Sequence, residues 1–282
     1  MKGIIVAAGY GTRFLPATKS LPKEMLPLLD KPALALIVEE FIQSGIRDII
    51  VVTSRRKESL ENFLDRDPEL EGVFMAENST KKLEKIRPYE GVNFCFVRQQ
   101  KMLGSGDALL STMSWLGNEP VVVAYPDDLH FGQVPLAKQL INHYEKTGHC
   151  VCAAMEVAGD ISRYGVFSFS SGLQVNGFVE KPAPGTEPSR LASIGRYLLT
   201  PEYFAALKEA QKNFKGPGEF YHVEGLLPLI QKGQVDALPF EGMRVDTGEP
   251  GGYLEAILYY AANHDDYRDT LRAWCTNYLK GE

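Results

Sequence analysis

The sequence predicts an α/β fold: one domain on a mostly parallel central sheet, with a small β excursion and a C-terminal helical tail. Three observations predict it. Short apolar runs alternate with stretches of helical periodicity, the pattern of consecutive β–α–β units. The first runs, 3–8 and 48–53, are apolar almost throughout rather than at every second residue, as strands buried on both faces must be. The chain has 282 residues, 44% of them hydrophobic and 23% charged. That is an ordinary globular mix, long enough to bury roughly 75% of the unfolded surface.

The elements follow in order. Residues 3–8 form the first strand, and a glycine loop and a proline-rich stretch from Pro16 to Pro32 follow. A helix is expected from Asp30 as N-cap, with Pro32 in its first turn, to a stop at Gly45. The second strand is 48–53 and a helix covers 56–66. Residues 67–91 are polar and charged and read as a surface excursion. Strands at 93–97 and 120–125 flank a helix at 106–116, and a helix at 134–147 leads to a strand at 150–157. Residues 165–181 alternate apolar and polar, the pattern of a half-exposed hairpin. A strand at 192–199, helices at 201–214 and 222–232, and a strand at 234–240 complete the series. The end, 251–280, is helical and rich in aromatic residues. No internal repeat, linker or low-complexity tract interrupts the chain.

Composition narrows the partners. The formal net charge is −6, whereas surfaces made for nucleic acid or anionic lipid are basic, so neither partner is expected. The longest apolar runs, such as 121–125, fall far short of the ~20 residues that span a bilayer. The N-terminus runs straight into a strand with no signal peptide pattern. The four cysteines hold no CxxC pair and assemble no zinc site, and those in apolar runs, Cys95, Cys150 and Cys152, read as small buried hydrophobes. A cytoplasmic location fits all of this. The five histidines form no i, i+4 pair and read as surface or packing residues.

Residues 8–14, Ala-Gly-Tyr-Gly-Thr-Arg-Phe, place a glycine turn after a buried strand, where backbone N–H groups can meet a phosphate or nucleobase. The run is no P-loop, for it lacks G-x-x-x-x-G-K-[ST]. Nor is it a dinucleotide fingerprint. Phe14 stands where the third glycine belongs, Thr53-Ser54 where an acid belongs, and proline-rich sequence where a helix belongs. The Asp127-Asp128 pair follows a buried strand, at the carboxyl edge where α/β sheets bind ligands.

The continuation, G-Y-G-T-R-F-L-P-A-T-K-S-L-P-K-E-M-L-P over 9–27, resembles the signature of sugar-1-phosphate nucleotidyltransferases. To Pro32 it resembles the bacterial UTP–glucose-1-phosphate uridylyltransferases in particular. Later segments match in order: Val97-Arg-Gln99 with Gly104-x-Gly106, Tyr125-Pro-Asp-Asp128, Tyr164-Gly-Val166, Val179-Glu-Lys-Pro182, Gly195-Arg-Tyr197 and Asp246-Thr-Gly248. The resemblance runs from residue 3 to about 262. It implies a single Rossmann-like nucleotidyltransferase domain of the GT-A type over 1–262, with 263–282 as a helical tail and possible subunit contact.

It further implies an enzyme that joins UTP and glucose 1-phosphate into UDP-glucose with Mg²⁺, as a homodimer or homotetramer. Two polyanions must meet, so cations must screen them. By resemblance, Arg13 neutralises the triphosphate and Lys23 binds the α-phosphate. Ala8, Gly9, Gly11, Thr12, Gln99 and Gly104 hold the nucleotide, and Asp128 either contacts the ribose or caps a turn. Gly165, Glu180, Lys181 and Gly195 hold the sugar phosphate. Asp127 and Asp246 hold the metal, a hard cation suited to carboxylate oxygens. Gln99 offers a donor and an acceptor, which suits uracil and thymine alike. The chain departs from the family at Asp107, where histidine or glutamine is usual. It departs again at Gly218-Glu-Phe-Tyr-His-Val-Glu224, which keeps only the acidic ends, Glu219 and Glu224, of the usual segment, and in a shorter 67–91 region. Those departures leave the base and the sugar open, with thymidylyl transfer the nearest alternative, a non-catalytic nucleotide-sugar binder next, and a glycosyltransferase last.

Overall fold

The computed structural model describes residues 1–87 and 89–280. Strand β1 (Lys2–Val6) opens the chain. A two-stranded ribbon, β2 (Pro27–Leu28) and β3 (Lys31–Pro32), turns through Leu29 and Asp30 before helix α1 (Ala33–Gln43). Asp30 is therefore not the N-cap: Pro32 takes that place, because Pro27 and Leu28 pair back across the turn. β4 (Asp48–Thr53) and α2 (Glu58–Leu64) follow. The 67–91 excursion lies at the surface as expected, yet it contains two helices, α3 (Pro68–Ala76) and α4 (Thr80–Ile86). Buried Glu71, held by Arg66 and Arg87, ties this pair down. Next come β5 (Asn93–Arg98), α5 (Ser105–Leu110), β6 (Val121–Ala124), β7 (Asp128–Phe131) and α6 (Leu136–Thr147). The helix expected over 106–116 breaks after Leu110 into a short 3₁₀ turn.

β8 (Cys150–Glu156), the hairpin β9 (Gly165–Ser171) and β10 (Gln174–Glu180), and β11 (Leu191–Leu199) lead to α7 (Pro201–Asn213) and α8 (Val223–Gln231). β12 (Val235–Pro239), β13 (Met243–Asp246), α9 (Pro250–Asn263) and α10 (Arg268–Lys280) close the chain. The tail is thus two helices, broken at 264–267, and α10 buries no residue.

The main sheet has the order β5-β4-β1-β6-β11-β8-β12-β10-β9. Parallel ladders join β5, β4, β1 and β6, and also β8 with β12. The ladders from β6 through β11 to β8, and from β12 through the hairpin, are antiparallel. The sheet is therefore mixed. The expectation of parallel strands holds where helices cross over, and fails where β11 returns beside its neighbours. The hairpin is no separate excursion; it continues the sheet past β12, and β9 turns back to pair antiparallel with β11 at Val166 and Ala192.

Alternate residues of each central strand face opposite layers, which is why the runs are apolar throughout. Ile5, Val51 and Val122 pack with α1 and α6. Ile4, Val52 and Val123 pack with α5, α7 and α8. α1 presses so close on β1 that a Cβ on Gly3 would lie 2.5 Å from the Phe41 ring. Cys150 and Cys152 are buried in the second layer, as small hydrophobes should be. Among the described residues no helix is long and apolar enough to cross a membrane.

Candidate active site

The parallel strands β1, β4, β5 and β6 share one carboxyl edge, so the segments leaving them converge there. The segment leaving β1 is the glycine loop. Gly11 sits at φ 67°, open to glycine at little cost, and the Thr18 hydroxyl braces it by donating to the Gly11 carbonyl at 2.7 Å. Arg13 is held by a bond to the Gly248 carbonyl at 3.3 Å and a long ion pair with Glu249 at 3.9 Å, and its side chain is 63% exposed. That leaves it free to turn toward an anion.

Lys23 lies in a short 3₁₀ turn fixed from below by Glu24. Glu24 is buried and accepts Lys57 Nζ on both carboxylate oxygens at 2.7 Å. Lys23 pairs with Asp127 Oδ2. Burial works against both charges, yet each holds the other. The Lys23 ammonium stays above its ordinary value and the Asp127 carboxyl below its own. Both are charged at neutral pH.

β7, which the sequence reading overlooked, brings the second aspartate in. It pairs antiparallel with β13, and the register sets Asp246 opposite Asp128. Thr247 reinforces this by donating its N–H and hydroxyl to the Asp127 carbonyl, at 2.7 and 3.0 Å. A Cβ built on Gly248 would lie 2.9 Å from Asp246 Oδ1, 3.0 Å from Asp127 Oδ2 and 3.4 Å from an Arg13 nitrogen. Two carboxylates and the Arg13 guanidinium therefore face one point where only glycine leaves room, and Lys23 joins them through its pairing with Asp127.

Asp128 has both oxygens taken by protein. Gly195 N–H donates to Oδ2 at 2.6 Å and Arg244 Nε to Oδ1 at 2.5 Å. Of the two roles open to it, holding the local backbone is the one the geometry gives. A Cβ on Gly195 would lie 2.9 Å from that same Oδ2, so the glycine is needed for this close approach.

Arg13, Asp127, Asp128, Gly195 and Asp246 line one cleft of about 260 Å³. Ala8, Gly9, Lys23, Gln99 and Gly104 line a neighbouring one of about 270 Å³, which shares Tyr125 and Asp127 with it. A third cavity of about 550 Å³ adjoins at Gly9 and Gln99, is also lined by Thr12, and gains cations from Lys19, Arg55, Arg56 and Arg98. Gly165, Glu180 and Lys181 line none of these. They stand together on the hairpin, where Glu180 pairs with Gly165 and the Lys181 N–H donates to the Tyr164 carbonyl at 3.0 Å. Lys181 adopts φ 48°, a strained value for a lysine that the surrounding backbone must enforce.

Two residues at the site escaped the sequence reading. Arg244 bridges Asp128 and Asp246, the latter at 3.3 Å, and its other nitrogen donates to the Tyr164 hydroxyl at 3.4 Å. Its signal was its place two residues before Asp246 on one strand face. His222 packs against the rings of Tyr125 and Tyr197, with centroids at 6.0 and 4.8 Å. It does pack, as expected of the histidines, but in the cleft wall rather than away from the site. The Ser105 hydroxyl meets its Nδ1 at 3.0 Å, and the His222 N–H donates to that hydroxyl.

Burial pushes the His222 imidazole down from 6.5 to about 4. The unfolded chain therefore binds more protons between these values. Stability should be unaffected above pH ~6.5 and fall by up to about 3 kcal/mol as pH drops toward ~4. Melting curves at neutral and acid pH should show His222→Gln losing less than the unaltered protein. An equal loss in both would reject this role.

The family model for nucleotidyl transferases matches residues 2–263. The chain belongs to the nucleotidyl transferase family. Among curated relatives of this nucleotidyl transferase is a UTP–glucose-1-phosphate uridylyltransferase of Staphylococcus epidermidis, 43% identical over 280 residues, 97% of this chain and 96% of that one. Among solved structures, an apo UDP-glucose pyrophosphorylase is 37% identical with a TM-score of 0.84, covering 92% of this chain and 98% of that one. A UTP-bound UGPase from Acinetobacter baumannii is 31% identical with a TM-score of 0.89, covering 98% of each chain.

Proposed function

We propose that the protein transfers a uridylyl group from UTP to glucose 1-phosphate, releasing pyrophosphate and forming UDP-glucose. The observation that carries it is the meeting of Asp127, Asp246 and Arg13 beside Gly248, with Lys23 paired to that same Asp127. The relative from Staphylococcus epidermidis, named for this reaction, supports the choice of substrates.

The sugar-phosphate oxygen attacks the α-phosphorus, the new O–P bond forms, and the bond to the β-phosphate oxygen breaks. The nucleophile is already ionised, so no base is required, and positioning and charge do the work. Lys23 lies against Asp127 and is charged, ready to meet the α-phosphate. Arg13, loosely held, screens the β- and γ-phosphates, and the glycine-loop residues Gly9, Gly11 and Thr12 with Ala8 face the nucleotide. Gln99 and Gly104 meet the base. Gly165, Glu180 and Lys181 on the hairpin take the sugar phosphate, with Gly195 at the cleft floor. Asp127 and Asp246 suit a divalent cation, for hard carboxylate oxygens face a shared point there that a phosphate can complete. We assign Mg²⁺, which supplies charge neutralisation and orientation at the α-phosphate.

We take 1–262 as the catalytic domain and 263–282 as a tail. Trp274 and Tyr278 are exposed on α10, which fits a subunit contact in a homodimer or homotetramer. The free cysteines fit a cytoplasmic setting, and the acidic balance fits small-molecule substrates rather than nucleic acid or membrane.

Pyrophosphate release tests the reading. With glucose 1-phosphate and Mg²⁺, UTP should support turnover well above CTP, ATP and GTP, and a chelator should abolish it. Release mainly with dTTP would keep the mechanism and change the base, and silence with every nucleotide and sugar phosphate would sink transferase activity.

A further inference from the structure

Gln99 directly follows β5 and is 5% exposed. Its amide nitrogen donates to the Gly104 carbonyl at 3.1 Å and to Asp107 Oδ2 at 3.0 Å. A primary amide has two N–H donors, so both are used. Asp107 lies in the first turn of α5, and Gln211 from α7 donates to its other oxygen at 3.5 Å. A carboxylate only accepts, so the Gln99 amide cannot turn over without setting its carbonyl oxygen against a negative charge. That carbonyl oxygen has no bonded partner among the described residues, and Gln99 lines the cavity shared with Ala8, Lys23 and Gly104.

The rest of the pocket is built to match. A Cβ on Gly104 would lie 2.4 Å from the Phe220 carbonyl. That same carbonyl accepts the Gly106 N–H at 2.9 Å, and the Phe220 N–H donates to the Leu103 carbonyl at 2.7 Å. The altered 218–224 segment thus clamps the Leu103–Gly106 entry into α5, which carries Gly104 and leads directly to Asp107, by backbone bonds that do not depend on its side chains.

We infer that Asp107 is a positioning residue that locks the Gln99 amide with its carbonyl toward the base, so that the site reads the imide N–H of uracil and rejects bases lacking it. This rests on the reading of Gln99 as the base contact. Uracil and thymine carry a proton at N3. Cytosine presents a lone pair there, which would face the Gln99 carbonyl unpaired. A site built around one polar group discriminates strongly against a ligand that leaves it unsatisfied.

Initial rates of pyrophosphate release test this with UTP and CTP. Asp107→Asn lets the amide settle either way, since the asparagine amide can accept or donate. KM for UTP should rise about tenfold with kcat within about threefold, and the UTP-to-CTP ratio of kcat/KM should fall about tenfold. Gln99→Glu sets two carboxylates against each other and should lose about a hundredfold in kcat/KM for UTP. Adding Asp107→Asn to Gln99→Glu restores a donor facing the carboxylate and should recover about tenfold of that loss. A merely structural Asp107 would give no such rescue. Asp107→Asn with KM and base ratio unchanged, or a double variant no better than Gln99→Glu, overturns the inference while the activity of the unaltered protein upholds uridylyl transfer. No turnover of UTP by the unaltered protein would overturn both.

Discussion

Lys23→Ala is expected to lower kcat for UDP-glucose formation by about three orders of magnitude, with little change in KM for glucose 1-phosphate. A preorganised charge aimed at developing charge in a water-poor cleft has effects of that size. The side chain is 18% exposed and already paired, so it costs little to reorder on substrate binding. Lys23→Arg should not restore the rate, because the guanidinium fork cannot occupy the place of a compact ammonium. The same change should alter pH dependence. Burial alone would raise the Asp127 carboxyl, and Lys23 reverses this to hold it low. In Lys23→Ala the largest opposition to burial is gone and only a backbone hydrogen bond and Arg244 still favour the charged form, so Asp127 should take up its proton at higher pH. The acid limb of residual kcat/KM should therefore move upward. The stability that the charged Asp127 contributes, present above its unfolded pKa and lost as pH falls through the folded one, should shrink as well. Far-UV spectra should stay unchanged. Activity in Lys23→Ala within tenfold of the unaltered protein would remove Lys23 from the chemistry.

How far this site could be read from sequence depends on how local each part is. Gly9, Gly11, Arg13 and Lys23 belong to one short run whose spacing carries the chemistry. Asp127 follows an apolar strand at the edge where such sheets bind ligands. Each can be seen in a window of a few residues. The antiparallel half of the sheet could not be seen that way. β11 lies beside β6 and β8 through pairings distant in sequence, and an apolar strand reads the same in either direction. The β7 strand was hidden because four residues after a proline turn carry no period to detect, and its meaning lies in β13 more than a hundred residues later. Arg244 and His222 were missed for the same reason. Their partners, Asp128 and Ser105, are distant in the chain. Asp30 misled because it has the right side chain for a cap. The pairing of β2 with β3, a tertiary fact, moved the helix start past it.

Arg196→Met is expected to destabilise the fold by about 3–5 kcal/mol and to lower the melting temperature by about 10 °C. Arg196 is fully buried, with Nε and a terminal nitrogen on the two oxygens of Glu40 at 3.0 and 2.7 Å. Removing it leaves a carboxylate uncompensated in the core between α1 and β11. Glu40→Leu combined with Arg196→Met removes both charges, so it should recover part of that loss. Recovery cannot be complete. Glu40 also accepts the Ala137 N–H at 2.8 Å, and Arg196 also donates to the Asp128 and Gly195 carbonyls at 3.1 and 3.2 Å, so three backbone groups lose a partner in the double variant. The second of these matters for catalysis. The Asp128 carbonyl belongs to the turn that carries Asp127, and Arg196 is the fully buried donor that fixes it from the core side. The double variant should thus melt closer to the unaltered protein than Arg196→Met does, while its kcat stays at least about tenfold low. Stability and rate recovering together would mean the buried pair serves the core alone. Rate lagging behind stability would show that the pair, through the Asp128 carbonyl, holds Asp127 in place to face Asp246.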